Sequence, residues 1–240
     1  MEARLHLDIL PQPDDTTCGP TCLHAVYRYF GDDISLPQVI AETGTLDQGG
    51  GTLAVLLGCH ALARGYDARI YTFNLTMFDP TWFTAPGVDV AERLRRQRDA
   101  KPDPKLAIAT DGYVEFLRRG GELRQEDLTE ALLLRYLDVR VPILTGLSAT
   151  YLYRAPREVP PDDAADDIAG VPAGHFVVVA GCDRPKRSVL IADPDRHNPL
   201  GADQLYEVPI ERVVCSILLG VLTYDGNLLV IRPRGDARIP

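Results

Sequence analysis

The chain has no uninterrupted apolar segment able to cross a bilayer, which takes about 20 residues; its longest apolar runs, at 176–180 and 213–222, are short or broken. It has no excess of basic residues either, with 25 Lys and Arg against 34 Asp and Glu and a net charge of -9. Binding to a phosphate backbone needs clustered cations that displace counterions, so nucleic acid is excluded as the main partner. The first residues, Met-Glu-Ala-Arg-Leu-His-Leu-Asp, lack the basic start and apolar core of a secretory signal. Nor is there an even set of cysteines. Five thiols without such a signal predict reduced side chains in a reducing, cytoplasmic setting, with at least one thiol free. Internal repeats and low-complexity tracts are absent. Gly49-Gly50-Gly51 lacks the Lys that would make it a phosphate loop and reads as a flexible turn. What remains is an ordinary soluble globular protein. A chain of 240 residues buries roughly 70 to 75% of the surface its unfolded form exposes, and so needs neither disulfides nor a metal to build a core.

Periodicity divides the chain into helices first and antiparallel strands last, an α+β layout. Residues 5–10 alternate as a short strand. From Cys18, apolar residues recur at three and four positions up to Gly31, predicting a buried amphipathic helix capped by Thr16 or Thr17. Shorter helices are predicted over 37–42 and from a Thr52 cap to Arg64, with Gly65 as terminator and a strand over 67–74. Residues 75–140 read as a mostly helical insertion within a single 1–240 domain, with helices near 88–100, 105–119 and 126–137. A strand is predicted over 139–144. The Pro- and Asp-rich stretch 154–173 reads as a long loop of the kind that forms lids. Strands follow at 175–182 and 188–193, then a helix at 210–215 and a hairpin joining 220–224 to 227–232 through Asp225-Gly226.

One cysteine stands where chemistry is favoured. Cys18 lies at the junction of a polar loop and a helix start, where free backbone N–H groups and the helix dipole stabilise a thiolate; Gly19 allows a tight turn and Pro20 suits the first helical turn. A nucleophile needs a base, and the base needs an orienting group. If 175–182 and 188–193 form a hairpin closed around Asp183-Arg184-Pro185, paired residue numbers sum to about 368 or 369, which brings His175 opposite Asp193 or its neighbour. Gln12, six residues before Cys18, is a candidate to aim its amide N–H at the oxyanion position together with the Cys18 backbone N–H. His197, with Asp195 and Asn198, is the fallback for base and orienting group. A metal site from Cys18, Cys22 and His24 finds no second ligand pair, and His24 points to another helix face. Cys22, Cys59 and Cys215 read as core, Cys182 as core or partly exposed, and His6 and His60 as surface or structural residues.

Taken together, Gln12-Pro-Asp-Asp-Thr-Thr-Cys18-Gly-Pro-Thr-Cys-Leu, Gly174-His175-Phe-Val-Val-Val and Ile191-Ala-Asp193-Pro194 resemble the motifs of the bacteriocin-processing cysteine peptidases, the thirty-ninth family of cysteine peptidases and a bacterial branch of the papain-like fold. The resemblance spans about residues 5–72 and 140–224, and 75–140 matches nothing in the smaller processing domains. It implies a papain-like fold whose N-terminal helical part carries the nucleophile and packs on a C-terminal antiparallel sheet. It also implies Cys18 as nucleophile, His175 as general base, Asp193 as its orienting acid and Gln12 in the oxyanion hole. No cofactor is implied, and the partner is a peptide or protein substrate. Two other outcomes share these residues: a catalytically inactive domain that binds peptides, and a relative that passes the acyl group to an amine or thiol.

Overall fold

A computed structural model describes residues 2–44, 51–160, 162–201 and 203–236 of the chain. It opens with strand β1 (Glu2–Arg4). Past Arg4 the predicted alternation survives as burial, with Leu5 and Leu7 inside and His6 and Asp8 outside, but the ladder does not. After the Leu5 N–H bonds the Ala180 carbonyl at 2.8 Å, the chain leaves that edge and reaches the Pro194 carbonyl through the Gln12 N–H at 2.9 Å. Helix α1 (Cys18–Tyr29) follows, and Gly31 in the left-handed region, φ 82°, takes the chain out of it. Helix α2 (Leu36–Glu42) starts with the Ser35 side chain accepting the Gln38 N–H. Helix α3 (Ala54–Ala63) begins later than predicted. The Thr52 hydroxyl donates to the Gly44 carbonyl at 2.7 Å instead of capping, so Leu53 takes the cap position. Gly49 and Gly50 of the predicted turn lie outside the described residues. Strand β2 (Tyr66–Thr72) runs back through the molecule.

Residues 75–140 hold helices α4 (Thr81–Thr84), α5 (Val90–Ala100), α6 (Pro104–Arg118) and α7 (Glu130–Leu137), with the short strand β3 (Glu122–Arg124) between the last two. Asp89, Asp103 and Thr129 cap α5, α6 and α7 with their side chains. Strand β4 (Ile143–Ser148) starts four residues after the predicted 139. Val139 and Arg140 instead close α7, the Val141 N–H returning to the Tyr136 carbonyl at 3.0 Å. After helix α8 (Ala149–Tyr153), the Pro- and Asp-rich stretch carries a two-residue ladder of β5 (Glu158–Val159) and β6 (Ala164–Ala165). The chain ends in β7 (Gly174–Asp183), β8 (Ser188–Ala192), β9 (Leu205–Pro209), α9 (Ile210–Leu219) and β10 (Asn227–Pro233).

Among the described residues, eight strands form one sheet in the order β3-β2-β10-β4-β7-β8-β9, with β1 on β7 beyond the end of β4. Every pairing is antiparallel except β2 with β3. The predicted terminal hairpin does not form. Residues 220–223 make a 3₁₀ turn that extends α9, and β10 enters the middle of the sheet between β2 and β4. Its apolar run 228–231 is buried on both faces, as a central strand requires. Side chains alternate across the sheet, so Phe176, Val178 and Ala180 join one apolar cluster with α1, α3 and α6, while Val177 and Val179 join another with α7, α8 and α9. The architecture is α+β, a mostly antiparallel sheet covered by helices on both faces. Cys215 is a correction: α9 buries Ile210, Val213 and Ile217, and Cys215 lies off that stripe, exposed. Among the described residues no helix is long and apolar enough to cross a membrane.

Candidate active site

Cys18 is the first residue of α1, and the helix enters without a side-chain cap. The Thr17 hydroxyl, predicted to cap, instead donates to the Asp14 carbonyl at 3.0 Å and accepts the Asp14 N–H at 3.3 Å. The loop is thereby fixed by its own turn, and the positive end of the helix is left to the thiol. Gly19 is required by packing: a Cβ there would lie 2.4 Å from Thr52 Cγ2 and 3.3 Å from Phe176 Cδ2. This close approach seats α1 on β7 and sets Cys18 beside the start of that strand. One turn on, the Cys22 thiol donates to the Phe176 carbonyl at 3.2 Å, and burial, with Cys18 and Asp193 nearby, pushes it well above the ordinary thiol range. Cys22 is a packed structural thiol.

His175 is the second residue of β7, 8% exposed, and Asp193 follows the last residue of β8, fully buried. The imidazole Nε2 and Asp193 Oδ1 are 2.8 Å apart. That occupies one ring nitrogen, and the imidazole lines one cavity together with Cys18. The sequence-based register is corrected. Val178 pairs with Ala192 and Val179 with Ile191, and a bulge shifts the ladder so that Gly181 pairs with Leu190. The ladder ends at Ala192, and Asp193 is held by its own N–H on the Gln204 carbonyl at 2.8 Å. Because Asp193 lies past the paired strand, its direction is set by this bond and not by strand parity, and the shifted register does not turn it away.

Four donors converge on the Asp193 carboxylate. Oδ1 also accepts the Asp195 N–H at 2.9 Å, and Oδ2 accepts the hydroxyls of Tyr153 at 2.7 Å and Tyr206. Burial works to raise its pKa, but the charge and hydrogen bond of His175, with the two tyrosines, outweigh it and hold the carboxyl below the usual range. For His175, burial favours the neutral ring, but Asp193 and then Cys18 hold its pKa well above the ordinary value. Both tyrosine hydroxyls are driven upward, first by burial and then by the Asp193 charge, and so stay protonated as donors. Neither tyrosine was legible in the sequence. The inward face of a strand at 205–209 would have pointed to Tyr206, but no strand is predicted there, and nothing local singles out Tyr153.

Gln12 sits on the loop whose N–H bonds the Pro194 carbonyl, and its Oε1 is buried with no partner among the described residues. It lines a cavity of about 400 Å³ with His175, Tyr153, Glu158, Pro160 and Asp163. Cys18 lines a second cavity of about 190 Å³ that shares Asp15, Gly174 and His175 with the first. The two form a cleft running past the imidazole. His197 is exposed; Asp195 spends Oδ1 on the His197 N–H, and Asn198 donates to the Asp195 carbonyl. The fallback set is therefore a turn bonded to itself, with Asn198 buried and His197 left exposed. His6 is exposed, while His60 bonds the Tyr27 hydroxyl at 2.8 Å and Glu42 at 3.2 Å, away from the cleft.

No protein-family model matches the chain, and no curated protein sequence matches it. Among solved structures it is similar to the peptidase domain of Streptococcus ComA, a bifunctional ABC transporter of a quorum-sensing pathway, at 16% identity and TM-score 0.44, over 95% of this chain and 100% of that one. It is similar to a protein from Bacillus anthracis described as a C39-like peptidase, at 15% identity and TM-score 0.49, over 98% of each chain. A third is a double-glycine-motif protease from an AMS/PCAT transporter in complex with the leader peptide, at 14% identity and TM-score 0.44, over 96% of this chain and 94% of that one.

Proposed function

We propose that the protein is a cysteine peptidase of papain-like type that cleaves an amide bond in a peptide substrate. One observation carries the reading: a buried imidazole is hydrogen-bonded to a fully buried carboxylate and lines one cavity with a thiol at an uncapped helix start. In the proposed reaction the His175 ring holds the Cys18 proton, and the Cys18 sulfur attacks the substrate carbonyl carbon. The Cys18 backbone N–H and the Gln12 amide stabilise the oxyanion. The imidazolium then protonates the leaving amine, and the C–N bond breaks to leave an acyl-enzyme. Water, deprotonated by His175, attacks the thioester and restores the thiol. Asp193 keeps the ring oriented and favours its charged form, an arrangement that raises the fraction of reactive thiolate.

Cys18→Ala is expected to abolish peptide hydrolysis by the full chain while leaving its near-UV circular dichroism and urea midpoint unchanged. Iodoacetamide at neutral pH is expected to label Cys18 before the exposed Cys215, and peptide mass mapping reads the order. Hydrolysis by the Cys18→Ala variant at the wild-type rate sinks the reading.

A further inference from the structure

The cleft is charged far more on one side than catalysis asks. Its larger cavity is lined by four carboxyl groups, Asp15, Glu158, Asp163 and Asp195, and by no Lys or Arg among the described residues. These groups already oppose one another: burial raises the Glu158 pKa, and the Asp163 and Asp15 charges raise it further. In the smaller cavity, beside Cys18, lies Asp225, 7% exposed. Three glycines make the space it occupies. A Cβ at Gly174 would lie 2.4 Å from Asp225 Oδ2, one at Gly146 would lie 2.8 Å from Oδ1, and one at Gly220 would lie 3.2 Å from its Cβ. The Thr223 hydroxyl donates to Oδ2 at 2.6 Å. Burial lifts this carboxyl to about 7, against the opposing pull of Thr223, Lys105 and His175. Among the described residues the one Lys or Arg lining this cavity, Lys105, is already engaged. Its ammonium donates to the Thr223 carbonyl at 3.1 Å and lies 4.8 Å from the centre of the Tyr224 ring.

We propose that the cleft selects basic peptides, with a Lys or Arg side chain of the substrate entering the Cys18 cavity against Asp225 and basic neighbours facing Asp15, Glu158, Asp163 and Asp195. This rests on the peptidase reading for the word substrate, but the charge selection itself belongs to the cleft. An entering ammonium or guanidinium adds counter-charge at Asp225 beyond the pull of Lys105 and His175, and it relieves the mutual repulsion around Glu158. Low-dielectric walls focus such a field, so the selection acts on encounter as well as on binding. An acidic side chain would meet these five carboxyl groups, and against them only the His175 ring, already bonded to Asp193, and a lysine whose donors are partly spent. Lys105 comes from α6, so the 75–140 segment takes part in setting specificity.

The test uses Cys18 as a local probe in the full chain. Three methanethiosulfonates, a cationic aminoethyl, a neutral methyl and an anionic sulfonatoethyl reagent, are reacted with the protein, and peptide mass mapping compares Cys18 with the exposed reference Cys215. The cation-to-anion rate ratio at Cys18, normalised to Cys215, is expected to exceed about tenfold. Asp225→Asn is expected to lower it at least about threefold, and Lys105→Met, at a half-exposed position, to raise it. A ratio near or below one, or a ratio unmoved by both variants, overturns the proposal. Basic, neutral and acidic peptides of equal length form the second arm. Selective cleavage of the basic set supports the proposal, and equal cleavage of all three overturns it while leaving the peptidase reading intact. No cleavage alongside a high thiol ratio refutes hydrolysis and upholds charge selection by the cleft.

Discussion

At the scale of single residues, Tyr153 and Tyr206 are positioning residues for Asp193, since each spends its hydroxyl on Oδ2 and neither touches Cys18 in the hydrogen-bond network. Tyr206→Phe removes a donor to a charged acceptor and is expected to cost about 1.5 to 3 kcal/mol of stability. It should also move the acid limb of the Cys18 alkylation profile to higher pH, because the lost hydrogen bond is one that lowers the Asp193 pKa; an unmoved limb would make the tyrosine merely structural. The pair has a signed effect on folding. Asp193, held below its ordinary 3.8, stabilises the fold above that pH and loses the contribution as pH falls through its lowered value. His175, held above its ordinary 6.5, stabilises below 6.5 and loses the contribution as pH rises through its raised value. Urea midpoints of the wild type minus those of Asp193→Asn should therefore be largest between pH 3.8 and 6.5. The positions of Cys18 at a helix start and of His175 at a strand start were legible because such starts are local patterns. Asp225 was legible only as a turn residue, and its place beside the thiol depends on Gly174 and Gly146, far away in the chain.

At the scale of elements, helices were read better than strands. Each helix carries its own hydrogen bonds and its own periodicity, so α1, α2, α5 and α6 lie close to where their patterns predict them. Strands β3 and β9 escaped, and the partners of β10 were misread, because a strand is completed by a distant chain segment. The contact between α3 and α6 is likewise tertiary. A Cβ at Gly58 would lie 2.8 Å from Phe116 Cε2, and one at Gly112 would lie 2.8 Å from Val55 Cγ1, so glycines on both helices permit the approach. Gly112→Val is expected to destabilise the protein by about 1 to 3 kcal/mol through overpacking, despite the better helix propensity of valine. Chemical denaturation with an unchanged m-value is the check.

At the scale of the whole molecule, the sheet separates two apolar clusters. Leu57 belongs to the cluster under α1, α3 and α6, and Leu132 to the cluster on the opposite face. Each Leu→Ala change is expected to cost about 2 to 5 kcal/mol, and the double variant should equal their sum within about 0.5 kcal/mol. A coupling well above that, measured by a double-mutant cycle in urea, would show that the faces fold as one packed unit. Charge is also a whole-molecule property: the net -9 was plain from composition, but the gathering of Asp15, Glu158, Asp163 and Asp195 along one cavity was not. The sequence by itself determined the α+β layout, the acidic balance and the place of Cys18 at a helix start, because these follow from composition, short-range periodicity and backbone chemistry at a helix start. Only the tertiary structure decided that Asp193 carries two tyrosine hydroxyls, that β10 lies at the sheet centre, and that Asp225 and Lys105 meet beside Cys18. Each of those depends on segments far apart in sequence that pack together only when the sheet forms, and no local pattern encodes a partner it does not contain.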